Sequence, residues 1–234
     1  MRALIALTLL LGGCVTNIGA GGNGSPIVRQ FEAVAIGSEF SRPGHAELVK
    51  KWTKPVRYII SHPNSSLARS ARRHLSNLAN VTGLDIAEVF SLDKANFRVV
   101  FGQRKQFLPW LIAVDGDNAF TLATAQSACF ASTEDHGTGF VESGNAVIGT
   151  DNPPYLRDHC LLEELTQALG PLNDACHARD SIFCDGVYRT SLSSSDAIIL
   201  RTLYDPRLKP GMTKAEAMPI ARPFIKELMA AQGG

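Results

Sequence analysis

A chain of 234 residues with 23 basic and 22 acidic side chains carries a formal charge of +1 at neutral pH. That length suits one domain with a sizeable core, and the near-neutral balance excludes a field that would gather nucleic acid. Hydrophobic residues make up 45% of the chain, yet no apolar run reaches the roughly 20 residues that cross a membrane, and no internal repeat is visible.

Residues 1–13 hold one positive charge, Arg2, then an apolar run from Ala3 to Leu11 and small residues before Cys14. With Leu11-Gly12-Gly13-Cys14, this resembles a bacterial lipoprotein signal peptide and its lipobox. The competing reading, a short first core helix, sits poorly with the glycine-rich stretch that follows. The resemblance implies cleavage before Cys14 and acylation of that cysteine, for example by palmitate. Val15, in place of an aspartate, implies sorting to the outer membrane of a bacterium, lipid-anchored and facing the periplasm. Without the leader and its Arg2, the remaining 22 basic and 22 acidic residues balance. Residues 14–26 then read as a flexible tether and residues 27–234 as the folded domain.

Beyond Cys14 lie Cys129, Cys160, Cys176 and Cys184. An even number in an exported chain argues for two disulfides, although four cysteines allow three connectivities. Cys176 with Cys184, a short loop, and Cys129 with Cys160, tying a strand to a helix, are the favoured pairs. The alternative of a metal held by thiolates lacks any C-x-x-C pair.

The β-branched and aromatic run at 56–61, set between Pro55 and Pro63, predicts a strand. Asn64-Ser65-Ser66 then caps a helix to about Asn80, with Leu67, Ala71, Leu75 and Leu78 at helical spacing. Its cluster Arg69, Arg72, Arg73 and His74 reads as a solvated face. Further strands are expected at 97–101, 111–114, 129–132 and 139–148, the last two separated by a polar turn at 134–137. Asn152-Pro153-Pro154 predicts a helix start, Asn152 as N-cap and proline in the first turn, for a helix running to about Leu169. Leu161, Leu162, Leu165 and Leu169 form its buried stripe, whereas His159, Glu163 and Gln167 fall at i, i+4 and i+8 on another face. Ser193 or Ser194 caps a last helix that ends near Tyr204.

The segment from Glu163 to Asn173 follows the metzincin pattern H-E-x-x-H-x-x-G-x-x-H with its histidines exchanged. Glu163, Gln167 and Asn173 stand at the zinc-ligand positions, Glu164 at the general base, and Gly170 where the chain must leave the helix and double back at positive φ. Ser181-Ile182-Phe183 falls where metzincins carry a tight turn with methionine, here replaced by Phe183. The segment 192–204 is similar to the closing helix of matrix-metalloprotease-like domains. Together with Leu203-Tyr204-Asp205-Pro206-Arg207-Leu208-Lys209-Pro210-Gly211-Met212, the motif resembles a bacterial family catalogued as domain of unknown function 2927, itself similar to zincin metallopeptidases. The likeness extends from about Val56 to Met218. It implies an α+β, zincin/metzincin-like fold: a mixed twisted sheet, a motif helix and a C-terminal helix. Met212 reads as core packing after a Pro-Gly turn rather than a displaced methionine turn.

One carboxylate and two carboxamides make a poor zinc shell unless His159 swings in. Oxygens of Glu163, Gln167, Asn173 and Asp174 suit calcium better, while the simplest arrangement is a hydrogen-bonded polar cluster that needs no cofactor. Glu164 without a Lewis acid would hydrolyse peptides slowly. Two functions follow. The preferred one is a pseudopeptidase, a non-catalytic cell-envelope module binding a protein or extended peptide along a sheet edge, with 139–148 as candidate edge and 123–136 as a possible cover. The alternative is a hydrolase acting on peptide or peptidoglycan through Glu164.

Overall fold

The computed structural model describes residues 24–36, 47–107, 109 and 128–232. The leader, Cys14, the expected strand at 111–114 and residues 123–127 lie outside the described residues.

The first helix, α1 (Pro26–Ile36), begins one residue before the expected domain start. The short strand β1 (Lys51–Trp52) pairs in parallel with β6 (Phe140–Val141). A five-stranded sheet follows the order β3-β2-β4-β7-β5. It comprises β2 (Val56–Ile60), β3 (Ile86–Glu88), β4 (Phe97–Gly102), β5 (Cys129–Glu134) and β7 (Ser143–Gly149). All its pairings are parallel except that of β5 with β7. Four further helices are described: α2 (Ser66–Thr82), α3 (Pro154–Gln167), α4 (Ser194–Leu203) and α5 (Lys214–Gln232). The fold is mixed α+β.

Side-chain alternation decides which face of the sheet is covered. Val56, Tyr58 and Ile60 of β2, Phe97, Val99 and Phe101 of β4, and Ala146 and Ile148 of β7 point to one face. There they pack with Leu75 and Leu78 of α2 and Leu161 and Leu165 of α3. The other face holds a smaller cluster of Phe107, Phe130 and Val147. A second core lies beyond α3, where Leu162 meets Phe31 of α1, Ile182, Phe183, Ile198, Ile199 and Met218. Helix α3 is therefore apolar towards two cores, and this confines its polar side chains to the remaining face.

Four local readings change. Residues 139–148 do not form one continuous edge strand: Glu142 separates β6, which pairs with β1 in a two-stranded sheet, from β7, which lies between β4 and β5. Its Ala146, Val147 and Ile148 are at most 1% exposed, as suits an interior strand, while the more polar β5 takes the outside. Asn152 does not cap α3; Pro153 occupies that position, and the Asn152 amide donates to the Ala128 carbonyl at 2.7 Å instead. His74 is buried, because the face of α2 that carries it turns into the core, and burial together with Arg73 lowers its pKa. Arg72 is a bidentate partner of Glu88, at 2.7 Å on both contacts. Finally, α4 is not the last helix, since α5 follows and packs on α1 and α4 despite Pro219 and Pro223 within it. Met212 packs against the second core, as expected.

Candidate functional site

The site is built on α3. Proline at its first position costs no hydrogen bond there, and its end is enforced by the close passage of the chain around Lys50. Gly170 has φ of 127°, and a Cβ at that position would lie 2.2 Å from the Lys50 carbonyl oxygen. Only glycine fits both the conformation and the space. The last carbonyls of α3 and its closing turn are satisfied from outside: the Trp52 indole N–H donates to Ala168 O at 2.9 Å, and the Tyr204 hydroxyl to Leu169 O at 2.6 Å.

Tyr155, His159, Glu163 and Gln167 follow one another at four-residue spacing along the polar face. His159 Nε2 lies 3.1 Å from Glu163 Oε2, and its Nδ1 lies 3.2 Å from both the N–H and the carbonyl of Arg189. The carboxylate assigns the proton to Nε2, so the neutral ring accepts from Arg189 N–H at Nδ1 and the imidazolium donates to Arg189 O. Burial lowers the pKa of His159, but the hydrogen bond and charge of Glu163, the Arg189 carbonyl and Asp174 outweigh it, and the net shift is upward. Tyr188 stands edge-on to His159 and to Tyr155, with centroids 5.6 and 5.0 Å apart, and both tyrosines are more than half exposed.

Gln167 Nε2 donates to Asp174 Oδ1 at 2.6 Å. Asn173 does not join this group; its amide donates to Ala33 O of α1 at 3.0 Å. These three side chains are thus engaged with protein partners, Glu163 with His159, Gln167 with Asp174, and Asn173 with the first helix. These bonds use the amide N–H groups of Gln167 and Asn173 and one oxygen of Asp174, and they point Gln167 and Asn173 to different partners. Zinc would gain one imidazole only by separating His159 from Glu163.

Glu164 is 4% exposed, and carboxylate oxygens of Glu163 and Glu164 lie within 4.8 Å of each other and of Cys129 Sγ. Cys129 is bonded to Cys160, and Cys176 to Cys184, so these sulfurs form two disulfides rather than a thiolate site. The first bond anchors β5 to α3 directly beside the two glutamates.

Behind the helix, Asp196 is fully buried and accepts from Ser181 Oγ at 2.7 Å, Ile182 N at 3.2 Å and Ser193 N at 2.8 Å. Burial pushes its pKa up against the pull of these donors. It fastens the 181–183 turn to the amino end of α4, where Ser193 is the N-cap.

Reading the sequence singled out the row on α3 but missed the aromatic pair and the residues that close the helices. Tyr155 is legible in retrospect as one further step of the four-residue row. Tyr188 and Lys51 carry no such periodic signal.

No curated protein matches the chain. A family profile matches residues 25–223, a span that takes in α1, the sheet, α3, α4 and the first half of α5. The chain belongs to the family described as "Protein of unknown function (DUF2927)".

Proposed function

We propose that this domain is a non-catalytic binding module of the cell envelope, derived from a zincin-like scaffold, that takes an extended peptide as an added strand along β5. Its leader pattern would hold it at the membrane through acylated Cys14. The observation that carries the reading is the position of β5: among the described residues it pairs on one side only, and it is bonded to α3 beside Glu163 and Glu164.

Gly149 N–H donates to Ala128 O, whereas Gly144 N–H is directed to Asn96 O on the β4 side. Alternation along the ladder therefore leaves main-chain groups of Cys129, Ala131 and Thr133 facing away from β7. An extended segment gains hydrogen bonds from such a row without any catalytic group. The polar face of α3 supports binding over hydrolysis, because Glu163 is committed to His159 and Gln167 to Asp174. Glu164 as general base is the weaker reading, since its carboxylate is buried under the start of β5.

The test is selection of binders from a random-peptide library on the full chain, repeated with Ala131→Pro. Proline there deletes one outward N–H and leaves the β7-facing bonds in place. Loss of binding in a variant that melts like the wild type supports the reading. Binding that survives the proline, or a library that yields no binder, would overturn it.

A further inference from the structure

A second site lies on the sheet rather than on α3. The parallel strands β2, β4 and β7 all finish at one end of the sheet, and residues at and after their ends line an open cleft of about 510 Å³. The connections part at this point. From β2 the chain leaves through α2 to β3 on one side, while β4 lies on the other side of β2 and leads on towards β5 and β7. In open parallel sheets, the crevice beyond the strand ends at such a parting is where ligands bind, because the diverging connections leave a gap that no side chain of the sheet fills.

The walls are held in place independently of any ligand. Arg104 N–H donates to Asp151 Oδ1 at 3.0 Å, Thr150 N–H donates to Gly102 O at 2.8 Å, and Gln103 N–H donates to Gln106 Oε1 at 2.9 Å. Across the cavity, the Ser65 hydroxyl caps α2 by accepting from Ala68 N. Leu67 and Phe101 contribute apolar surface to the lining, and Ser65, Gln103, Gln106 and Thr150 contribute hydroxyls and amides. Lys105 and His62 complete it, and among the described residues no acidic side chain lines the space. Arg104, the next basic group, is already paired with Asp151.

We infer that this cavity binds a small organic carboxylate with an apolar body. The volume is that of a small-molecule pocket, and its mixture of apolar surface with a few polar groups is typical of one. A single lysine is a point charge that suits one carboxylate, whereas a phosphate would call for an arginine fork or a ring of N–H groups. Hydroxyl and amide groups orient the carboxylate, while Leu67 and Phe101 accept the hydrocarbon part. None of these residues belongs to β5 or α3, so the site stands or falls apart from the peptide-binding reading.

The experiment is saturation-transfer NMR on the full chain with benzoate and its uncharged counterpart benzamide. We expect benzoate to bind at least about tenfold more tightly than benzamide. Lys105→Glu, a change at an exposed side chain, should weaken benzoate by a similar factor, and Thr150→Trp, which fills the cavity, should remove both ligands. Thermal melts of both variants establish that they fold, and Lys105→Glu decides alone if Thr150→Trp does not. Equal binding of benzoate and benzamide, undiminished binding of benzoate to Lys105→Glu or to folded Thr150→Trp, or no benzoate signal would each overturn the assignment.

Discussion

The indole N–H of Trp52 donates to the carbonyl of Ala168 at 2.9 Å, across 116 positions of sequence, and so closes the helix that carries the candidate site. Its neighbour Lys51 does the same for α4. The Lys51 ammonium donates to the carbonyls of Leu203, Asp205 and Leu208 at 2.8, 3.2 and 2.9 Å. Two adjacent residues of β1 thus join the ends of two helices through their carbonyl groups, of which that of Asp205 also accepts from Leu208 N–H at 3.1 Å.

Lys51→Met keeps most of the side-chain volume and removes all three donors. We expect a loss of about 3 kcal/mol in unfolding free energy, the cost of stranding buried carbonyls. Burial, with Lys209 adding to it and Asp205 opposing, lowers the Lys51 pKa to about 8 from 10.5. Between those values the unfolded chain holds a proton that the folded chain has released, so stability rises with pH through that window. Urea titrations at pH 7.5 and 10 should show this slope in the wild type relative to Lys51→Met.

His159 should titrate above its ordinary value of 6.5. The imidazolium's contribution is then fully present below pH 6.5 and is lost as pH rises through the folded-state value. Glu163→Gln removes the main groups that raise it and leaves burial to dominate, so the midpoint should fall below 6.5. Imidazole nitrogen shifts followed by NMR against pH measure both midpoints, and an unchanged midpoint in Glu163→Gln would show that the contact at 3.1 Å does not govern the ring.

Gly170→Ala should cost about 3 kcal/mol or more, combining a left-handed φ with a clash against the Lys50 carbonyl. The melting temperature would fall accordingly. By contrast, Gly186→Ala, where a Cβ meets nothing within 4 Å, pays only for its φ of 77°.

Removing the Cys129–Cys160 bond should destabilise more than removing Cys176–Cys184, because the closed segments differ, with separations of 31 and 8 residues. Chain entropy puts the difference at about 1 kcal/mol. Chemical denaturation of the two double Cys→Ser variants compares them directly, and the first should also loosen β5, seen as faster amide exchange at Ala131.

Much of the architecture was legible because it is local. Ser65 caps α2 and Ser193 caps α4, each where a hydroxyl precedes an apolar periodicity, and the leucines of α3 repeat at the spacing of a buried stripe. The glycine at 170 was legible for the same reason, as a helix end followed by a return of the chain. Helices α1 and α5 were not, since two prolines interrupt α5 and α1 follows a glycine-rich stretch; their apolar faces make sense only against each other and α4.

The candidate site divides in the same way. The i, i+4, i+8 row of His159, Glu163 and Gln167 follows from the helical repeat. The partner of each side chain does not, because a helix repeat fixes direction and says nothing of what lies opposite. Asp174 turned to Gln167 while Asn173, its neighbour, turned to α1, a choice made by the path of the loop after Gly170.

From its sequence alone this protein has its strand and helix periods, its caps, the parity of its cysteines and the polar row on α3, all set by interactions a few residues apart. Only the tertiary structure decided that β5 rather than β7 is the outer strand, that Lys51 and Trp52 close two distant helices, and that strand ends line an open cleft. Those outcomes depend on which buried groups find partners across long separations, and main-chain donors and acceptors carry no mark in the sequence of the partner they will meet.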